Sequence, residues 1–355
     1  MMQRKIVPQD FTKWKPVTDP QWHTGTGKFA YVETQVNEEE NKYFSNIFVG
    51  KLNDKIIPIT IEKNKNHLPR WSPCGEKLAF VSNRNEKSQI YIFHANGGIA
   101  EQLTYCSNGA TNPVWSPCGT KILFSLHVAP GGENKDLAMI DLQTKKIIPL
   151  TQGRDYSCPA FSPDGKNVAF VTKSEDGSDI VKDVYIMNVA TKGEEKITKS
   201  NGLFSTISWA PDGGKIGFIG HLKESDHATM NRVWVYDIHS KYLQCLSEGL
   251  DVEVGIGADG ELHSGTVNPG LMWTKDSEGF YFIVSDQGSN GIYYGSLEGA
   301  MYPIVLEQEN IYGISMNTST HEAIIASSTP ANPGELFHLN LADQTRTQLT
   351  NVNDK

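Results

Sequence analysis

The chain keeps returning to one five-residue turn. Trp71-Ser72-Pro73-Cys74-Gly75 recurs as Trp115-Ser116-Pro117-Cys118-Gly119, Phe161-Ser162-Pro163-Asp164-Gly165 and Trp209-Ala210-Pro211-Asp212-Gly213, with starts 44, 46 and 48 residues apart. An apolar run follows each copy at once: Leu78-Ala79-Phe80-Val81, Ile122-Leu123-Phe124, Val168-Ala169-Phe170-Val171 and Ile216-Gly217-Phe218-Ile219. A period in this range, with one tight turn and a short strand per unit, is the signature of propeller blades. Pro presets the backbone at the first central position of the turn, and Gly tolerates the left-handed conformation that closes it. The aromatic before the turn is large enough to pack between neighbouring sheets.

A second ruler runs through the same units. Each closes with a strand, a polar turn and a strand ending in an apolar residue and Thr or Ser, as in Ile90-Tyr91-Ile92-Phe93 to Leu103-Thr104 and Val184-Tyr185-Ile186-Met187 to Ile197-Thr198. Degenerate copies extend the array. One begins at Trp22, one at Trp273 after a glycine-rich stretch, and the weakest at Ile311. The expected fold is all-β: a seven-bladed β-propeller of four-stranded antiparallel blades, whose radial closure leaves only short edges. Residues 1–17 read as an N-terminal arm, and the blades span about 18–60, 61–104, 105–151, 152–198, 199–247, 248–306 and 307–350. Blades one and seven each have their own strands, so the ring is expected to close by side-chain packing alone and to exchange hydrogen fastest at that seam.

Composition narrows the partners. Acidic residues outnumber basic ones by 41 to 32, for a net charge of −9. There is no dense Lys/Arg block, which argues against a nucleic-acid surface. The longest apolar runs are strand-sized, so no membrane span is expected. The start shows no apolar signal region, which makes the cytoplasm the default location. Cys74, Cys106, Cys118, Cys158 and Cys245 lack the spacing of a zinc site or an evident disulfide, and read as free thiols.

Chemistry is hard to find. Gly-x-Ser-x-Gly is absent, and Gly288-Ser289-Asn290-Gly291 reads as a hairpin turn. Neither a phosphate loop, a dinucleotide fingerprint nor a zinc-protease motif occurs. The motif serines sit in tight turns, where a hydroxyl bonds locally. No catalytic, metal or cofactor residue is assigned. His221 and His227 share a polar loop, and Asp19, Asp176 and Asp179 read as turn-formers or solvated residues. The polar residues of the inner strands remain: His67, Arg70, Thr111, Asn112, Ser157, Ser205, Thr206 and Asn268. They either line a central channel or satisfy strand hydrogen bonds and water. Arg154 and Asp155 are read as a charge pair on one face.

The repeated turn units, the Asp183-Val184-Tyr185-Ile186-Met187 strand and the stretch Trp273-Thr274-Lys275-Asp276 to Asp286-Gln287-Gly288 to Ile292-Tyr293-Tyr294 resemble one type of bacterial protein. The resemblance, which covers essentially the whole chain, is to the N-terminal propeller of acylaminoacyl-peptidase-like serine peptidases of the prolyl oligopeptidase family. It implies a C-terminal α/β-hydrolase domain in cis, joined through a linker starting at residues 351–355, that holds the catalytic triad. It further implies a propeller that caps that site and admits short peptides while excluding folded proteins. The chain alone would then be non-catalytic, with a homo-oligomer left open. The alternative is a stand-alone TolB-like or WD40-like propeller that binds a protein or a small ligand. Cys74 and Cys118 depart from the family pattern, which has Asp at that turn position.

Overall fold

The computed structural model describes residues 7–130, 132–174, 180–223, 229–257 and 266–353. Asp176, Asp179 and His227 lie outside the described residues. The described chain is β-structure apart from a 3-10 helix at Pro8–Lys13.

Consecutive strands pair antiparallel. The first sheet is β1 (Val17–His23), β2 (Lys28–Asn37), β3 (Lys42–Lys51) and β4 (Ile57–Pro58), in that order. The next is β5 (Asn66–Trp71), β6 (Lys77–Asn85), β7 (Lys87–His94) and β8 (Glu101–Gln102). A third comprises β9 (Ala110–Trp115), β10 (Lys121–His127), β11 (Lys135–Asp141) and β12 (Ile147–Pro149). Two further groups follow: β13 (Tyr156–Phe161), β14 (Asn167–Lys173), β15 (Lys182–Asn188) and β16 (Glu194–Lys196); then β17 (Gly202–Trp209), β18 (Lys215–Leu222), β19 (Arg232–Asp237) and β20 (Tyr242–Cys245). One parallel pair, Lys182 with Leu203, joins these two into a single sheet. The last sheet comprises β21 (Glu253–Val254), β22 (Met272–Trp273), β23 (Gly279–Asp286), β24 (Ser289–Ser296), β25 (Met301–Val305), β26 (Asn310–Asn317), β27 (Glu322–Thr329), β28 (Asn332–Asn340) and β29 (Arg346–Gln348). Its two halves are likewise joined by one parallel pair, Asn290 with Asn310.

The four-stranded expectation for residues 248–306 needs correction. Both β21 and β22 pair with β23, so its inner edge is split in two and the group has five strands. Gly255 and Gly270, both at positive φ, flank the break. His221 also differs from expectation: it belongs to β18, paired with Leu203, rather than to a loop.

Each sheet gives its two faces to two different cores. Leu78, Ala79, Phe80 and Val81 are all fully buried, so β6 is covered on both sides. Leu78 and Phe80 pack with Ala30, Val32 and Ile47 of the first sheet, whereas Ala79 packs with Trp115, Ile122 and Phe124 of the third. The layers run round to a last one in which Phe29 and Tyr31 meet Tyr312, Ile324 and Leu336. This is propeller-like packing: the apolar core is a series of inter-sheet layers, closed on itself.

Three repeated devices hold the layers in register. The turn glycines Gly75, Gly119, Gly165 and Gly213 have φ of 69°, 69°, 70° and 74°, the left-handed region that the motif demands. In the turns, Ser72, Ser116 and Ser162 accept the amides of Lys77, Lys121 and Asn167, the local use expected of them. In every unit but the one over about 248–306, the closing Thr or Ser accepts a backbone N–H from the third strand: Thr60 from Ile47, Thr104 from Ile90, Thr151 from Leu137, Thr198 from Val184, Ser247 from Val233 and Thr350 from Leu336. Motif indoles then reach across the layers. Trp71 donates to the Gln21 carbonyl, Trp115 to Arg70, Trp209 to Ala160 and Trp273 to the Ser208 hydroxyl, all at 2.9–3.1 Å.

Candidate functional site

Strand polarity decides which residues can share a surface. The first strand of each group runs toward the motif turn, and three antiparallel strands later the chain is back where it started. The inner strands therefore begin at one face, the termini face, and the motif turns lie at the other. β1 begins and β29 ends at the termini face, where Lys15 and Asn353 are hydrogen-bonded at 2.9 and 3.1 Å. Inner strands β1, β5, β9, β13 and β17 contact one another in succession, and β26 returns to β1.

These strands share a kink. Asp19, Leu68, Asn112, Cys158 and Thr206 have φ between 45° and 53°, and each lies three positions before its motif aromatic. Gly270 takes the same place before Trp273, with φ 70°. All five non-glycine positions fall inside a register shift between the inner strand and its neighbour: Thr18/Gln21, His67/Arg70, Thr111/Val114, Ser157/Ala160 and Ser205/Ser208. Such bulges re-aim side chains, and non-glycine residues hold the left-handed region only at a cost. Sequence reading missed this ring, because Asp, Leu, Asn, Cys and Thr share no local signature; only their fixed offset from the aromatic betrays it.

The bulge geometry reassigns Asp19. Its side chain is 4% exposed and accepts Arg70 Nη1 at 2.8 and 3.0 Å, so it is a buried ion-pair partner and not a solvated turn-former. Arg70 also donates to the Pro69 carbonyl. His67, two residues into β5, is half-buried, and desolvation lowers its pKa, so the ring is neutral near pH 7. Asn112 donates to Ser125 at 3.4 Å. Asn268 accepts the Gly270 amide. Arg154 bonds Glu194 of its own outer strand and the Tyr156 hydroxyl, stacking over Tyr156 and Tyr185, while Asp155 accepts the Lys135 amide of the preceding sheet. These two neighbours thus serve different contacts. Of the remaining inner-strand candidates, Thr111 is buried, Ser157 is half-buried, Ser205 donates to Ile219, and Thr206 Oγ1 is buried without a partner.

His67 and Asp19 are the pair that the fold brings to one cavity. A cleft of about 310 Å³ opens between the first two sheets, lined by Thr18, Asp19, Val32, Thr34, Tyr43, Phe44, Ser45, Lys65, His67 and Leu68. The termini face also exposes apolar side chains: Tyr43, Ile61, Tyr105, Val128, Ile180, Leu203 and Leu306. On the turn face a second cleft, about 650 Å³, is lined by Tyr281, Tyr294, Tyr302 and His321, with the Tyr281 hydroxyl 2.7 Å from His321 Nδ1. Among the described residues, no group of three or more His, Cys, Asp or Glu side chains could hold a metal, and no helix is long and apolar enough to cross a membrane. Cys74, Cys106, Cys118 and Cys158 are free thiols.

Comparison with known proteins agrees with this geometry. The family model described as the TolB beta propeller domain matches residues 10–128. The β-propeller domain of the trilobed protease from Pyrococcus furiosus superposes with a TM-score of 0.72 at 22% identity, covering 97% of this chain and 98% of that one. Pyrococcus horikoshii acylaminoacyl peptidase gives 0.72 at 21% identity, over 97% of this chain and 54% of that one. The fold is therefore that of a β-propeller, of the kind found in these proteases. In sequence, the whole chain is similar to part of the uncharacterized peptidase YuxL of Bacillus subtilis (strain 168), at 35% identity over 392 aligned positions. The chain spans 60% of that relative's length.

Proposed function

We propose that this chain is the seven-bladed propeller domain of an acylaminoacyl-peptidase-like serine peptidase. Its role is to cap the active site of an α/β-hydrolase domain carried in cis, admitting short peptides. The observation that carries the reading is the 35% identity of the entire chain to 60% of a peptidase. Geometry supports it. Both ends of the propeller emerge at one face, so a domain continuing the chain meets the exposed Tyr43, Ile61, Tyr105 and Leu203 there. Pairing of consecutive strands supports seven blades over about 18–350, with the sixth irregular. His67, Arg70, Asn112, Arg154, Asp155 and Asn268 are proposed as residues of the axial opening or its faces, and the cytoplasm as the location. Acyl transfer needs an activated nucleophile, a base and oxyanion donors; here the motif serines are committed to their own turns. The test compares hydrolysis of a short acyl-peptide and a long unfolded chain by the longer protein with and without the propeller. Loss of length selection on deletion is expected, provided the deleted form stays folded. Stoichiometric labelling of the 355-residue chain by a serine-reactive phosphonate, abolished by one Ser→Ala change, would overturn the non-catalytic assignment. The TolB-type match over residues 10–128 favours a second reading, a stand-alone binding module.

A further inference from the structure

The cleft between the first two sheets has an uneven charge balance. Its one acid, Asp19, is neutralised by Arg70. The cleft continues into a neighbouring groove of about 580 Å³ that shares Tyr43, Phe44 and Lys65. The groove's one acid, Glu40, pairs with Lys42 at 3.7 Å. Two cations remain: the ammonium groups of Lys63 and Lys65 have no ion-pair partner among the described residues, and both side chains are exposed. Exposed Glu38 and Glu39 on the adjoining hairpin leave the surroundings mixed in sign, so what these two lysines offer an anion is a contact-range attraction.

Lys65 is held in place. Its N–H donates to Asn83 Oδ1 at 2.8 Å and its carbonyl accepts the Asn83 amide, while a bridge to Ser45 ties it to the first sheet. Behind it Val32, Phe44 and Leu68 form an apolar wall. The His67 ring has no hydrogen-bond partner among the described residues and lines the cleft. The groove beyond presents the side-chain amides of Asn41 and Asn64, which suit the N–H and C=O groups of an extended backbone. A volume of about 310 Å³ sits at the small end of ligand sites, room for one large side chain.

We propose that this cleft and groove bind the C-terminal end of a peptide, with its last, apolar side chain against Phe44 and Leu68 and its free carboxylate on Lys65. The peptide backbone then runs out along the asparagine groove. This rests on the peptide-acting reading above, but it is tested without hydrolysis. Calorimetric titration of the chain with Ala-Ala-Phe and with its C-terminal amide is expected to show the acid binding at least about tenfold tighter at low salt. Lys65→Gln, an exposed position, should abolish that preference while leaving the circular dichroism spectrum unchanged. The His67 ring resonances should shift on adding Ala-Ala-Phe. Equal binding of acid and amide, an undiminished preference in Lys65→Gln, or no shift at His67 would each overturn the proposal. A longer protein that hydrolyses peptides while acid and amide bind equally sinks the cleft alone. Carboxylate-dependent binding with no hydrolysis by the longer protein leaves the cleft standing and removes the peptidase reading instead.

Discussion

The side chain of Asn353 pairs with the backbone of Lys15 as a strand neighbour would. Its Oδ1 accepts the Lys15 N–H at 2.9 Å and its Nδ2 donates to the Lys15 carbonyl at 3.1 Å. Buried Glu335 holds the far side of the clasp, accepting the amides of Val352 and Asn353 at 2.8 and 2.7 Å. β1 pairs with β2 and β29 with β28, so among the described residues no strand is exchanged across the seam. The expectation that packing alone closes the ring therefore needs a correction: side-chain amide and carboxylate bonds supplement it. Asn353→Ala removes three bonds, the two to Lys15 and one from Nδ2 to the Gly334 carbonyl, each contributing about 0.5–1.5 kcal/mol. Hydrogen exchange at β1 and β28 should accelerate by at least about tenfold in that variant, with β10 and β14 unchanged. Unaltered exchange at β1 would show that the clasp contributes nothing.

The seam differs from the other layers in its indole. Trp115 donates to Arg70, but Trp22 Nε1 is buried without a partner, facing the His338 ring at 5.6 Å. Trp115→Phe should therefore lower stability by about 1 kcal/mol more than Trp22→Phe, since the second change removes a donor that was already unsatisfied. Urea midpoints of the two variants check this. Equal losses would mean that the indole bonds are worth nothing net.

The closing threonines can be separated in the same way. Thr198 accepts the Val184 amide and donates to Asp183, which is fully buried and also accepts Ser200; Thr151 accepts the Leu137 amide. Burial works to raise the Asp183 carboxyl, but the hydroxyl and amide bonds outweigh it and leave its pKa below the usual range. Thr198→Val should cost about 1–3 kcal/mol, and more than Thr151→Val, because it also strands a buried carboxylate. A depressed folded pKa means stability that is present above the ordinary Asp value of about 4 and is lost as pH falls through the folded one. Asp183→Asn should accordingly flatten the acid limb of the stability profile.

Cys118 should be the reactive thiol. Hydrogen bonds from Ser116 and Thr120 bring its pKa down to about 7, and the side chain is exposed. Alkylation by iodoacetamide should rise with pH to half its maximal rate near that value, and Thr120→Ala should move the midpoint upward. A midpoint near 9 in the unaltered chain would refute the assignment.

Much of this architecture was legible because its causes are local. The Pro-Gly turns, the apolar runs and the closing Leu-Thr pairs are set within a few residues, so the repeat and its all-β character follow from the sequence by itself. His67 and Arg70 were legible as inner-strand polar residues for the same reason. What the sequence could not show depends on residues far apart in the chain. Asp19 meets Arg70 across two sheets, Tyr43 and Phe44 meet Lys65 across a layer, and the indoles of Trp71, Trp115, Trp209 and Trp273 find a carbonyl or hydroxyl in the preceding unit while that of Trp22 does not. The split inner edge at β21 and β22 was equally hidden, because glycine-rich sequence permits many paths and only pairing with β23 selects one. Local chemistry determined the units; the way such units lean on one another, and the cleft left between the first two, was decided by packing.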